Sequence, residues 1–358
     1  MKNIIFIVPG LFNYGGIARV TINLANTLAE TNKYNLTLLS LYNEHNGHAF
    51  FDISPKVKIQ ILPIQNFKLR RDFLRAAFEL KKLYSSTFEG TFVIDDVGHN
   101  IPAWIGLKHC KKAKFISWSH MNFFNGSKYG FSGVGKRLAT KKFDYLIALT
   151  KEDLNYYNKI LGAKNVIQIY NLRDKNTIKE NYKSNEKKII SCGRLNQIKG
   201  FDLLIEVAHI VFKNVKDWKW DIYGDGPEKE NLQAKIEKYG LTGKVNLMGY
   251  HSDILSLYKD YSFNVFTSRG EGCPMAMIEA QSAGLPIVSF DFKCGPKDLI
   301  THGKNGFIIE NWDIEKMASS ILCLIKDNEM RCEFARNADM NLKELEPSYV
   351  IEKWKSIL

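Results

Sequence analysis

None of the six cysteines (Cys110, Cys192, Cys273, Cys294, Cys323 and Cys332) belongs to a C-x-x-C pair. Zinc spacing is thereby absent, and a chain of 358 residues is long enough to fold around two cores without a disulfide framework. Six buried free thiols in a reducing compartment are expected. No segment approaches the roughly 20 apolar residues that a membrane span requires. The apolar run Ile4–Val8 follows one lysine and breaks at Pro9-Gly10, too short for a signal core. These absences point to a cytoplasmic protein. Low-complexity stretches and repeats are also missing, and the first strand–helix turn is not a G-x-G-x-x-G fingerprint.

What is present is ordinary globular composition, with 45% hydrophobic and 25% charged residues, and a net charge of +12. That charge is unevenly placed. Residues 1–174 carry 24 basic and 12 acidic side chains, whereas residues 175–358 carry 26 of each. An excess confined to one half suggests an anionic partner for that half, either nucleic acid or an anionic membrane surface.

Short apolar runs alternate with helical stretches. Strands are predicted near residues 4–8, 36–41, 59–62, 92–94, 115–118, 145–149 and 166–170, then near 189–192, 220–223, 245–248, 263–266, 286–290 and 306–309. Near-continuous apolar strands are buried on both faces, so the fold class is α/β, with doubly wound parallel sheets. Apolar content collapses between Leu172 and Lys188. Domains are therefore expected at 1–172 and 188–345, joined by a linker at 173–187, with a final helix at 349–358.

The richest segment runs from Glu271 through Gly272, Cys273, Pro274 and Met275 to Glu279 and Ala280. Pro274 suits the first position of a helix and Gly284 its stop. Cys273, the expected N-cap, is a poor capping residue. The N–H groups of Met275, Ala276 and Met277 would lack a side-chain partner and attract phosphate. A weakly capped surface helix with two solvated glutamates fits the same pattern. Earlier, Gly193-Arg194-Leu195 and Lys199-Gly200 place two cations five residues apart on a turn after a strand. Such a pair can hold a diphosphate from both sides, although exposed basic loop residues are often merely solvated.

Together with Gly224-Asp225-Gly226-Pro227, Ala283-Gly284-Leu285-Pro286, Gly295-Pro296 and Asn305-Gly306-Phe307, these segments resemble the signature series of retaining GT-B glycosyltransferases of family 4. The match spans about residues 189–310. The resemblance implies two Rossmann-like domains facing a central cleft, with the N-terminal one binding acceptor and the C-terminal one the nucleotide sugar. It implies that Arg194 and Lys199 neutralise the leaving diphosphate and that Glu271 holds donor-sugar hydroxyls. Gly272, Cys273, Pro274 and Met275 would lie near the phosphates, Glu279 at the ribose, and His251 beside the nucleobase. The last helix would cross back to the first domain.

In the first half, Gly15-Gly16 opens a helix expected near Ala18, and paired glycines let a backbone approach a ligand. The resemblance places these glycines opposite the donor phosphates. The family often has Gly-Gly-Ala-Glu-Arg, and the acid is missing from Gly15-Gly16-Ile17-Ala18-Arg19. His120, in Ser117-Trp118-Ser119-His120, ends a strand, where α/β sheets bind ligands. The resemblance makes it a contact for the donor sugar or the acceptor hydroxyl.

No D-x-D triplet occurs, so no cofactor and no metal are expected, and the nucleotide sugar, taken as a UDP-sugar, is a substrate. Residues 70–84 are expected to form a basic amphipathic helix with Phe73, Ala77, Leu80 and Tyr84 on one face. That face would lie either on the sheet or on anionic lipid. Lys108, Lys111, Lys112, Lys114, Lys136, Arg137, Lys141 and Lys142 would add positive surface. Phe123, Phe124, Tyr129 and Phe131 would cover a lipid-linked acceptor or join the core. The expected function is sugar transfer to a hydroxyl of a glycan or lipid-linked acceptor, in building surface polysaccharide, lipopolysaccharide or teichoic-acid-type polymers. The expected location is the cytoplasm, including the inner face of its membrane. The alternatives are a nucleic-acid- or membrane-binding protein without catalysis, a silent partner subunit, or a GT-B nucleotide-sugar epimerase. No nucleic-acid motif accompanies the charge.

Overall fold

A computed structural model describes the chain except for residues 13–14, 43–50, 174–181 and 183–184. Most of the expected linker, and Asn13-Tyr14 of the first loop, lie outside the described residues. The chain divides into two units. Unit 1 comprises Met1–Leu172 with Pro347–Leu358, and unit 2 comprises Arg173–Glu346.

Unit 1 holds seven parallel strands: β1 (Lys2–Val8), β2 (Tyr34–Ser40), β3 (Val57–Ile61), β4 (Thr91–Asp95), β5 (Lys114–Trp118), β6 (Tyr145–Ala148) and β7 (Val166–Gln168). Their order is β3-β2-β1-β4-β5-β6-β7, so the winding reverses between β1 and β4. Every residue of Ile4–Val8 and Thr91–Asp95 is buried, as two-sided burial demands. The helix Gly16–Glu30 begins two residues before the expected start.

The final helix, Pro347–Ile357, is part of this unit. Fully buried Trp354 packs against Trp118, with ring centroids 4.9 Å apart and planes at 71°. Lys114 donates to the Ile357 carbonyl at 2.8 Å and Lys353 to the Gln168 carbonyl at 3.2 Å. Edge-on aromatic packing and buried area together make Trp354 a keystone of this core.

Unit 2 holds β8 (Lys188–Cys192), β9 (Lys219–Tyr223), β10 (Val245–Gly249), β11 (Phe263–Phe266), β12 (Ile287–Phe290) and β13 (Gly306–Ile309). All are parallel, in the order β10-β9-β8-β11-β12-β13, and the reversal falls between β8 and β11. Arg173 and Glu346, the first and last residues of the unit, form an ion pair.

Several expectations need correction. None of the six cysteines is in a disulfide, but Cys323 is exposed, Cys273 and Cys332 are half-buried, and only Cys110, Cys192 and Cys294 are buried. Of the two placements expected for the stripe of Phe73, Ala77, Leu80 and Tyr84, the structure shows the packed one: on helix Leu69–Leu83, with Tyr84 just past its end, the stripe faces the core. Ala77 and Leu80 are buried, Phe73 packs on Phe131 at 5.3 Å, and Tyr84 packs on Phe92 at 5.0 Å. Lys136 is not a surface cation. It is 5% exposed, and its amine donates to the Phe123 and Asn125 carbonyls at 2.6 and 2.9 Å. Lys114 is spent on the C-terminal helix and Lys112 on Glu89. The aromatics divide. Phe123 packs edge-on to buried Tyr157 and Phe131 lies against Phe73, while Phe124 and Tyr129 are exposed. Among the described residues, no helix is long and apolar enough to cross a membrane.

Candidate active site

In doubly wound sheets ligands bind beyond the carboxyl ends of the strands, where the strand order reverses. In unit 2 that place is the edge of β8 and β11, and the motif residues converge there. The turn Gly193–Gly200 leaves β8 and is pressed between its neighbours. Gly193 donates to the Tyr223 carbonyl and Leu195 to the Asp225 carbonyl, both at 2.9 Å, and Glu228 donates to the Leu195 carbonyl at 3.0 Å. A Cβ on Gly224 would sit 1.9 Å from the Gly193 oxygen, and one on Gly200 would sit 2.0 Å from the Thr267 oxygen. The glycines of Gly224-Asp225-Gly226 therefore support the turn by letting two backbones touch.

Buried Leu195 anchors this turn, and Arg194 beside it is exposed. Asn196 accepts from the Lys199 N–H at 3.1 Å and caps a short 3₁₀ turn over Gln197–Lys199. The Lys199 stem lies over Gly193, and its amine meets Glu271 Oε1 at 2.6 Å. Ser268 donates to the same oxygen at 2.8 Å. The two expected phosphate cations thus differ: Arg194 points outward, and Lys199 is paired with a carboxylate.

Arg269, which sequence reasoning missed, holds the whole turn. Its guanidinium makes two hydrogen bonds to Asp202, at 2.8 and 2.7 Å, and a third to the Gln197 carbonyl at 2.6 Å. Burial alone would raise the Asp202 pKa, but the Arg269 hydrogen bond and charge bring it below its ordinary value. The only sequence hint was a lone arginine one strand-end away from Lys199.

The segment after β11 continues through buried Gly272 and half-buried Cys273 into helix Met275–Ser282. Pro274 is the N-cap, one residue later than expected, and no side chain caps this end. The Met277 N–H is satisfied by the Pro274 carbonyl at 2.9 Å, which leaves fewer donors than the sequence implied. Glu279 is buried on this helix, and its charge is felt at Cys192, where β8 ends. Burial is the main cause that pushes the Cys192 thiol up, so it stays protonated.

His251 stands apart from this group, two strands away at the end of β10. Its ring lies edge-on to Tyr223 at 6.1 Å. A hydrogen-bond chain fixes Tyr223: its hydroxyl is 3.0 Å from that of Tyr261, which donates to buried Asp221 at 2.9 Å. Burial and these neighbours push the Tyr261 hydroxyl far up, so it remains a donor.

Unit 1 brings its own residues together at the reversal between β1 and β4. Gly15 is the N-cap of helix Gly16–Glu30, no side chain caps it, and a Cβ on Gly15 or Gly16 would meet open space. Thr21 of that helix donates to Asp95 Oδ2 at 2.5 Å, and Asp95 Oδ1 faces His120 Nε2 at 3.6 Å. His120 stacks obliquely on Trp118 at 4.4 Å. Asp95, Asp96 and His99 were missed in the sequence, where only two adjacent acids at the end of an apolar run marked them. Asp96 takes φ +67°, ψ 129°, a conformation seldom adopted by non-glycine residues and often associated with functional sites. Burial lowers the His99 pKa against the pull of Asp96 and Asp95. Lys136, whose own pKa burial lowers, pins the loop that follows His120. Among the described residues, no three His, Cys, Asp or Glu side chains gather as metal ligands.

Two Rossmann-like domains, built on parallel sheets of seven and six strands, define the GT-B class. The chain belongs to the glycosyltransferases: the family described as "Glycosyl transferases group 1" matches residues 173–340. An uncharacterized glycosyltransferase of Haemophilus influenzae is 30% identical over 362 residues, covering 100% of both chains. The amylovoran biosynthesis glycosyltransferase AmsD of Erwinia amylovora is 28% identical, again over 100% of both. Among solved structures, a TarM variant of S. aureus in complex with fondaparinux, α-GlcNAc-glycerol and UDP superimposes with a TM-score of 0.86. It is 20% identical and covers 100% of this chain and 99% of that one.

Proposed function

We propose that this glycosyltransferase moves a sugar from a UDP-sugar to a hydroxyl of a growing surface polysaccharide or lipid-linked glycan, with retention and without a metal ion. In the reaction the bond from the anomeric carbon to the diphosphate oxygen breaks with its electron pair. The acceptor oxygen bonds to that carbon and its proton is released. The observation that carries this reading is the Lys199–Glu271 pair at the β8–β11 reversal. The pair sets a cation for the departing diphosphate beside a carboxylate for sugar hydroxyls. Arg194 and the uncapped start of helix Met275–Ser282 add positive potential, a role a metal would otherwise fill. Gly272, Cys273, Pro274 and Met275 line that helix start. Glu279 takes the ribose, Tyr223 and His251 take the base, and Gly15, Gly16 and His120 serve from unit 1. AmsD, named for amylovoran biosynthesis, and TarM, solved with UDP and α-GlcNAc-glycerol, support the acceptor and donor classes. The location proposed is the cytoplasmic face of the membrane, where such acceptors are assembled.

The test is a calorimetric and hydrolysis screen of UDP-, GDP- and ADP-sugars in the presence of EDTA, on wild type, Lys199→Ala and Glu279→Ala. Binding and slow hydrolysis of one UDP-sugar, weakened in both variants, is expected. Failure of well-folded protein to bind any nucleotide sugar at low salt would overturn the reading. Hydrolysis abolished by EDTA would refute metal independence. Product formed from the donor without acceptor or water uptake would identify an epimerase.

A further inference from the structure

We propose that the outward face of helix Leu69–Leu83, with the adjoining end of helix Asn100–Leu107, is a docking surface for anionic lipid. The inference gives the proposed membrane location a specific surface and rests on that reading. The helix carries five cations (Arg70, Arg71, Arg75, Lys81 and Lys82) against two carboxylates. Both carboxylates are engaged: Asp72 by Arg71 at 2.7 Å and Glu79 by Lys82 at 3.2 Å. With its inner stripe buried in the core, the opposite face is left in water. That face holds Leu74 and Phe78, 60% and 57% exposed, interleaved with Arg70, Lys81 and Lys82. Lys82 lies 4.2 Å from the centre of the Phe78 ring.

The second helix extends the face. A Cβ on Gly106 would come within 2.4 Å of the Ala77 carbonyl, so the two helices touch backbone to backbone. Exposed Ile105 and Lys108 flank that contact, and no acidic residue lies on helix Asn100–Leu107.

Isolated exposed apolar residues are ordinary on any surface. Here Leu74 and Phe78 stand on a helix whose cations outnumber its carboxylates five to two, with exposed Ile105 and Lys108 on the neighbouring helix, the composition of an interfacial helix lying in the plane of a bilayer. A bilayer with anionic headgroups receives both components, because the cations meet phosphates and the Leu74 and Phe78 side chains enter the acyl boundary. Nucleic acid phosphates would use the cations and leave the apolar side chains in water.

The experiment is co-sedimentation of the full chain with phosphatidylcholine vesicles and with vesicles containing phosphatidylglycerol, at low and high salt. The variants are Leu74→Ser/Phe78→Ser and Arg70→Glu/Lys81→Glu, with duplex DNA as a parallel probe. All four positions are exposed, so unfolding curves and donor-sugar hydrolysis should match wild type. Binding to phosphatidylglycerol vesicles is expected to weaken about tenfold or more in each variant. It should also fall with salt. Vesicle binding that both variants leave intact would keep the membrane location and overturn this face as its cause. No vesicle binding, or variant-sensitive binding to DNA alone, would overturn both this face and the membrane location while leaving the donor screen untouched.

Discussion

The two sheets reverse their winding at equivalent places, yet what they put there differs. At β8–β11 the chain raises a turn into solvent and braces it from behind with backbone contacts and Arg269. Arg194 is exposed, and Lys199 is half-covered by its partner Glu271. At β1–β4 the polar groups are sunk: Asp95 is fully buried, and His120 and His99 nearly so. Charge on an open turn can move to meet a ligand at little desolvation cost. Buried polar groups are costly to reorganise and hold a fixed geometry. The comparison sets an open, adjustable charged turn in the second unit against rigidly placed imidazoles, His99 and His120, in the first.

The sharpest break in that comparison comes from Trp354→Ala. Removing a fully buried indole costs about 3–5 kcal/mol. The loss should fall on unit 1 alone, seen in chemical denaturation as an early transition that leaves the unfolding of unit 2 unchanged. A single transition shifted as a whole would mean that the units do not unfold separately.

Next in size is Gly224→Ala. The added methyl cannot coexist with the Gly193 carbonyl, so the turn that carries Arg194 and Lys199 must shift. On the proposed function, shifting Arg194 and Lys199 by about 1 Å is expected to lower donor hydrolysis on the order of 100-fold. The variant should keep its melting temperature far better than it keeps its activity. Equal losses of both would show that this glycine supports the fold and not the turn.

The smallest effect concerns pH. Burial lowers the His99 pKa below 6.5, so the folded chain binds fewer protons there than the unfolded chain. Its contribution is therefore complete above about pH 6.5 and is lost as pH falls through the lowered value. The slope is at most one proton, about 1.4 kcal/mol per pH unit. His99→Gln should flatten the stability of unit 1 across that acidic window, read as melting temperature against pH. An unchanged slope would place the titration elsewhere.

Sheets and motifs were legible in the sequence because their signals are local. The thirteen strands among the described residues lie within a few residues of their apolar runs, most cleanly in central strands such as β1 and β4 where two-sided burial leaves little room for polar interruption; the edge strands β3 and β10 are part-exposed and admit polar residues. Turn glycines and the Glu271–Glu279 segment were legible for the same reason, as spacing along one stretch of chain. Side-chain partnerships were not. Lys199 and Glu271 stand 72 positions apart, and only the register of β8 against β11 joins them. Asp95 looked like any acid after a strand until the fold set His120 and Thr21 around it. Lys136 was read as surface because lysine is rarely buried, and two carbonyls of a single loop reverse that rule here. On helix Leu69–Leu83 the period was correct, but periodicity names an apolar stripe without saying that the other face carries Leu74 and Phe78.

The return of Pro347–Leu358 to unit 1 has a bearing on how the protein is made. Residues 1–172 leave the ribosome before any of unit 2, yet Trp354, the residue that closes their core against Phe6 and Trp118, is translated only after the whole of unit 2. Unit 2 is contiguous and can mature as it emerges, while unit 1 waits with an open seam until all of unit 2 has been made. The order of translation and the order of completion are thus reversed, and the N-terminal half is the part of the nascent chain that would lean hardest on chaperones.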